Sequence, residues 1–228
     1  MDDSRSAPTN AIEAAVFDWD GTLTDSKRAL VATYHATSEE LLGYRFPVEP
    51  EDVDRIVQLR AKEAFPLITK GDAELTERFA EAFHRHYAEQ LKTVSTFAGT
   101  TETLEALRRA GVRLGVATSK ARARVDLEGE HTGLLPLFDT IVTGDDVANA
   151  KPDPEPIEAA IESLGTDPAR TLYVGDGPND VIAGRAAGAI TVGVSYGFHP
   201  TETRAEKPVQ MIDHPSELLE LLTTTGPI

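Results

Sequence analysis

The sequence predicts an α/β fold: a Rossmann-like parallel sheet with helices on both faces, and a small helical cap inserted after the first strand. Two observations predict it. Short apolar runs rich in Val, Ile and Leu alternate with amphipathic segments, the pattern of a parallel sheet whose crossovers are helices. One stretch, residues 26–93, breaks that rhythm with helical patterning and no clear strand.

The elements follow in order. Ala11–Phe17 is an apolar run that ends at Asp18 and reads as the first strand. Within 26–93, Ala29–Leu42, Val53–Leu59 and Leu75–Leu91 read as helices, separated by Gly43, Pro47, Pro50, Pro66 and Gly71. Thr93–Gly99 reads as the return linker. The domain reading is therefore a core of residues 1–25 and 94–228, with a cap of residues 26–93. Thr101–Ala110 then carries an apolar stripe through Leu104 and Leu107, stops at Gly111 and meets the strand Val112–Thr118. Helical patterns at Ala121–Glu130, Pro156–Leu164 and Pro178–Ala187 alternate with strands at Thr140–Thr143, Thr171–Val174 and Ile190–Val194. Pro215–Leu222 reads as a capped final helix.

Composition bounds the function. Hydrophobic residues make up 40% of the chain, enough for a packed core. No apolar run approaches the roughly 20 residues that span a bilayer, and Met1–Asn10 lacks the apolar segment of a secretory signal. The expectation is a cytoplasmic protein. No cysteine is present, which excludes disulfides and thiol catalysis. The net charge of -16 argues against nucleic-acid and anionic-membrane partners. It also means that any site for a phosphate must make its own positive field.

In an open parallel sheet, ligands bind beyond the carboxyl ends of the strands. Strand one ends in Phe17-Asp18-Trp19-Asp20-Gly21-Thr22-Leu23. Two carboxylates so close after an apolar run repel unless a cation compensates. A lone Asp-x-Asp is more often an acidic loop. An EF-hand is excluded, because its glycine belongs at the sixth loop position and Gly21 falls at the fourth. Asp18 can serve as a nucleophile and Asp20 as a proton donor. Gly21 allows a tight turn and offers backbone N–H to a phosphate.

Strand two ends in Thr118-Ser119-Lys120, where the Thr118 hydroxyl suits either a phosphate oxygen or a helix cap. Ala150-Lys151-Pro152-Asp153-Pro154 stiffens a loop around Lys151, and a fixed ammonium can neutralise a phosphoryl group. Val174-Gly175-Asp176-Gly177-Pro178-Asn179-Asp180 again sets carboxylates after an apolar run. Asp176 reads as a hard oxygen ligand, whereas Asp180 also suits the first turn of a helix. Arg60 and Lys62 read mainly as a solvated helix face, with Arg60 retained as a candidate substrate contact. His84 and His86, two apart on a helix, share no face and are read as surface residues. Trp19 reads as packing.

Taken in order, Asp-x-Asp-Gly-Thr, strand-end Thr, Lys-Pro and Gly-Asp-x-x-x-Asp resemble the four motifs of the haloacid dehalogenase-like hydrolase superfamily. Phe17–Leu23 with Asp25-Ser26, and Val192-Gly193-Val194-Ser195-Tyr196-Gly197, are similar to its phosphoglycolate phosphatase-like group. Phe97-Ala98-Gly99 departs from the Pro-Gly turn common in that group.

The resemblance implies a Mg²⁺-dependent phosphatase acting on a small-molecule phosphate ester, a phosphoglycolate-like acid or a sugar phosphate, as a monomer or homodimer. Asp18 would attack phosphorus, and Asp20 would protonate the leaving group and then activate water. Thr118 and Lys151 would hold phosphoryl oxygens, with Gly21, Ser119 and Arg60 as further substrate contacts. Mg²⁺ would sit among Asp18, the Asp20 carbonyl and Asp176, and Asp180 would orient the metal shell or Lys151. The acid at Asp20 points to phosphate and not halide chemistry. A phosphosugar mutase with the same aspartyl-phosphate, and a non-catalytic phosphometabolite-binding protein on the same fold, are the alternatives.

Overall fold

A computed structural model describes residues 12–46, 52, 56 and 59–222. Its centre is a six-stranded parallel sheet in the order β5-β4-β1-β6-β7-β8. Strand β1 (Ala14–Phe17) is buried along its whole length. It pairs in register with β4 (Arg113–Ala117) on one side, Phe17 opposite Val116, and with β6 (Thr171–Gly175) on the other, Phe17 opposite Val174. A strand covered on both edges and both faces must be apolar throughout, which is why it reads as an unbroken run.

The order reverses at β1: β4 and β5 (Thr140–Val142) lie to one side, and β6, β7 (Ile190–Val194) and β8 (Gln210–Ile212) to the other. That switch point opens a crevice beyond the strand ends.

Helices α4 (Thr100–Arg109) and α5 (Arg122–Thr132) and the tail cover one face of the sheet, where Leu104, Leu107, Val125 and Leu218 join Phe17, Leu114 and Val174. On the other face α6 (Glu155–Leu164) and α7 (Pro178–Ala186) pack Ile157, Ile161 and Ala183 against Val16 and Tyr173. Glycines with positive φ stop several helices: Gly43, Gly133 and Gly165 each return an N–H to the preceding turn.

Between β1 and β4 lie α1 (Lys27–Leu42), α2 (Ala61–Ile68) and α3 (Ala73–Gln90). They share an aromatic cluster: Phe83 stands 4.7 Å from Tyr34 and 5.1 Å from Phe65, ring centre to ring centre. The Asp72 carboxylate caps α3 by accepting from Leu75 N–H at 3.0 Å. The chain enters and leaves this bundle through a two-stranded antiparallel ribbon, β2 (Thr24–Asp25) against β3 (Ser95–Thr96).

Several elements depart from the sequence expectation. The return linker contains β3, whose two residues are too few to show a period. Helix α2 runs through Pro66, its sixth residue, so a proline read as a separator lies inside an element. Helix Val53–Leu59 falls largely outside the described residues. The tail is a 3₁₀ turn (Pro215–Glu217) leading into the short helix α9 (Leu218–Leu221). Between β7 and β8 a further helix, α8 (Pro200–Ala205), carries the chain across. No helix among the described residues is long and apolar enough to cross a membrane.

Candidate active site

Asp18 extends β1 by one step: its N–H donates to the Val174 carbonyl at 2.9 Å. The carboxylate therefore stands at the carboxyl edge of the central strand. The next residues curl back, Leu23 and Thr24 both donating to the Trp19 carbonyl. Gly21 makes this curl possible with φ of +78°. A Cβ there would lie 2.2 Å from Asp176 Oδ2, so the loop and that carboxylate can approach only because the residue is glycine. The N–H of Gly21 is taken by the Thr24 carbonyl at 2.9 Å. Gly21 thus shapes the turn and admits Asp176, and its N–H is engaged within the loop.

Asp18, Asp176 and Asp180 each offer a carboxylate oxygen within 4.8 Å of the others. Burial pushes Asp18 up to about 6, with Asp180 adding repulsion against the attraction of Lys151. Burial likewise raises Asp176 well above the ordinary carboxylate range, reinforced by Asp180 and Asp18. Three crowded acids under this strain fit a hard divalent cation, whose charge would remove the repulsion.

Lys151 joins the group at 2.9 Å from Asp18 Oδ1 and 2.7 Å from Asp180 Oδ1. Its Nζ also donates to the Tyr173 hydroxyl at 3.0 Å, and that hydroxyl lies 3.0 Å from the Ala117 carbonyl. Although burial opposes its charge, the two aspartates hold Lys151 well above the usual lysine range. Asp180 additionally accepts from Gly177 N–H at 2.9 Å. Its first-turn position and its grip on Lys151 are thus both present. Thr118 is buried at the end of β4, and with Ser119 it lines the same cavity of about 70 Å³ as Asp18 and Lys151.

Asp20 lines the same cavity from another side. Its carboxylate is hydrogen-bonded by Ser26 Oγ and lies 2.7 Å from Lys120 Nζ. Burial alone would raise it, yet Lys120 and Ser26 hold it below its ordinary value. Its side chain stands outside the acidic trio.

Behind Asp20 lies a group the sequence reading missed. The fully buried Lys120 ammonium also contacts the Glu128 carboxylate, itself without exposure. Glu128 accepts from Trp19 Nε1 at 2.7 Å and from the Tyr87 hydroxyl. Trp19 is therefore a hydrogen-bond donor as well as packing. Lys120 stands beside Thr118 in a motif already singled out, but its partners are distant in sequence and no local pattern announces them.

Arg60, read mainly as part of a solvated helix face, is buried. Its side chain is only 10% exposed, and it pairs with Glu63 at 2.6 Å and donates to the Ala148 carbonyl at 3.2 Å. It joins the inserted bundle to the core loop and does not line the cavity. Lys62 is exposed, as expected. His84 is exposed, while His86 is only partly exposed, 2.7 Å from Glu40.

A carboxylate at the end of the central strand, a buried lysine and an acidic trio at the switch point of a parallel sheet fit a phosphohydrolase of the α/β class. Residues 15–194 match the family model of the haloacid dehalogenase-like hydrolases, and the chain belongs to that family. It is 35% identical over 211 residues to pyrophosphatase PpaX of Bacillus velezensis, covering 92% of this chain and 96% of that one. To the PpaX of Oceanobacillus iheyensis it is 32% identical over 218 residues, covering 95% and 98%.

Among solved structures, one from Haemophilus somnus described as a predicted phosphoglycolate phosphatase superposes with a TM-score of 0.83. Its identity is 25%, and the match covers 94% of this chain and 99% of that one. One from Thermotoga maritima, described provisionally as a beta-phosphoglucomutase, superposes at 0.73 with 25% identity, covering 92% and 98%. The chain is a phosphatase of this family.

Proposed function

We propose that the protein is a Mg²⁺-dependent phosphatase that hydrolyses a small phosphate ester through a phosphorylated Asp18. The observation that carries this is the placement of Asp18 Oδ1 2.9 Å from a buried Lys151 within a trio of carboxylates. Asp18, Asp176 and the Asp20 carbonyl would hold the ion, which supplies charge neutralisation to the phosphoryl oxygens. Lys120 and Ser26 keep Asp20 ionised before substrate binds, so it takes up a proton from water as the anionic substrate enters beside it. Asp18 then attacks phosphorus in line as the bond to the leaving oxygen breaks, and Asp20 gives that oxygen this proton. Asp20 then takes a proton from water as the water oxygen bonds to phosphorus, and the bond to Asp18 breaks to release phosphate. Lys151 and the Thr118 hydroxyl bind phosphoryl oxygens, and Asp180 with Tyr173 fixes where the lysine points. Residues 26–93 act as the cap over this site, hinged at the β2–β3 ribbon.

Asp18→Asn tests the assignment. It should abolish turnover of p-nitrophenyl phosphate with the circular dichroism spectrum intact; turnover near that of the unmodified protein would refute it. The Thermotoga relative favours a second reading, in which the phosphoryl group returns to a sugar and not to water. Incubation with a hexose 1-phosphate separates the two: free phosphate supports hydrolysis, and an isomerised sugar phosphate supports mutase chemistry.

A further inference from the structure

Arg124, the third residue of α5, stands where a cation is poorly placed. The first turn of a helix carries partial positive charge, and α5 has no acidic residue there. Arg122 on the same turn is compensated by Asp146 at 2.8 Å. Arg124 has no carboxylate in ion-pair contact among the described residues. Lys120 and Lys151, the other cations of the cavity, are each held between two carboxylates. Asp20, an acid whose ionisation Arg124 favours, is already engaged by Lys120 and Ser26.

What holds Arg124 instead is aromatic. Its guanidinium lies over the rings of Phe83 at 5.5 Å and Tyr87 at 5.9 Å, both from α3 of the inserted bundle. Stacking of this kind engages the face of the guanidinium and leaves its N–H edges available. Those edges form a fork that matches the paired oxygens of a carboxylate or a phosphate. Arg124 lines the same cavity as Asp18, Thr118 and Lys151, whereas Leu30, Ile56 and Leu59 supply apolar wall. Apolar surroundings strengthen the attraction of a charged pair. At about 70 Å³ the cavity takes only a compact ligand.

We propose that Arg124 anchors a second anionic group of the substrate, so that the preferred substrate is a compact phosphate compound carrying two anionic ends. One end is the phosphoryl group transferred to Asp18; the other is a carboxylate or a second phosphoryl group on the Arg124 fork. This rests on the phosphatase reading above, which fixes where the first end lies.

Binding measured without turnover tests it. Calorimetry with Mg²⁺ present would compare Asp18→Asn protein with the same protein carrying Arg124→Gln or Arg124→Lys, using 2-phosphoglycolate, pyrophosphate and inorganic phosphate. Arg124→Gln should weaken one or both of the two-ended ligands by about ten- to hundredfold, the cost of losing a charge-assisted bidentate contact. Inorganic phosphate should weaken by about threefold at most, and Arg124→Lys should recover part of the loss. Preferential weakening of 2-phosphoglycolate identifies a carboxylate as the second end, and of pyrophosphate a phosphoryl group. Equal weakening of all three ligands, or unchanged affinity for both two-ended ones, would overturn the proposal. Failure of the phosphatase reading is seen separately, as absence of p-nitrophenyl phosphate hydrolysis by the protein with Asp18 intact.

Discussion

Glu128→Gln isolates the energetic role of the buried network behind Asp20. The substitution keeps size and shape, so no apolar area is lost and no cavity opens. It removes one charge and turns one acceptor into a donor. In the native arrangement Oε1 faces Lys120 and the Tyr87 hydroxyl, and Oε2 faces Trp19 Nε1. A glutamine can keep its oxygen toward only one of these sides; the other then meets an N–H group donor to donor. An unsatisfied buried donor costs about 1–3 kcal/mol, and breaking a buried ion pair costs about 3–5 kcal/mol. Because Asp20 remains 2.7 Å from Lys120, the ammonium keeps one partner, and the lower end of that range applies, about 3 kcal/mol. For a chain of this size that is a fall in Tm of about 6–12 °C. Thermal unfolding followed by circular dichroism, with a urea titration at the same pH, reads it directly. A loss below about 1 kcal/mol would show that Glu128 is not what holds Lys120, and that the network is incidental. Tyr87→Phe adds a control from the inserted bundle: coupled to Glu128→Gln in a double-mutant cycle, it should give a non-additive remainder.

Lys120→Met should lower kcat by about 10²-fold, in the range expected for a displaced general acid, with KM changed by about threefold or less; an unaltered kcat would remove Lys120 as the positioning residue of Asp20. Gly21→Ala should raise the Mg²⁺ concentration needed for half-maximal activity by about 10–100-fold, as for other groups that orient metal ligands, because the added methyl displaces Asp176; a normal metal requirement would contradict that contact. The pH dependence of the metal effect has a defined sign. Asp18 is raised from 3.8 to about 6 in the folded protein, so without metal its contribution to stability is fully present below about pH 4 and is lost as pH rises through about 6. Asp176 is raised in the same direction. Protons and metal compete for these carboxylates, so the Tm increase produced by Mg²⁺ should be large at pH 7.5 and small at pH 5. An equal increase at both values would exclude them as ligands.

Much of this arrangement was legible in the sequence because it lies at the ends of apolar runs. Asp18, Thr118 and Asp176 each follow a strand directly, and a parallel sheet gathers strand ends at one edge. Lys151 was legible from the prolines around it. The ribbon β2–β3 was not, since two residues cannot display alternation. Arg60 was misjudged because its spacing on α2 says nothing of Ala148, which a different part of the chain brings to it. Glu128 was hidden for a related reason. It lies on α5 among Asp126 and Glu130, where a charged residue passes for solvated surface, and only the packing of Trp19, Tyr87 and Lys120 around it shows that it is interior.

The strong acidity of the chain makes the charge balance at this edge informative. Five carboxylates, Asp18, Asp20, Asp176, Asp180 and Glu128, face three cations, Lys120, Lys151 and Arg124. A divalent ion would cancel the difference and with it the repulsion of an entering anion. The cations are also divided by task. Lys151 sits with Asp18, Lys120 with Asp20, and Arg124 in ion-pair contact with neither. Two are locked between carboxylates before any ligand arrives, so their attraction for a substrate is already partly spent on the protein. Arg124 faces ring faces and the cavity with no carboxylate in ion-pair contact among the described residues. An anion entering here would find in Arg124 a cation not already held by a carboxylate among the described residues, which is what selecting a substrate by its second end requires.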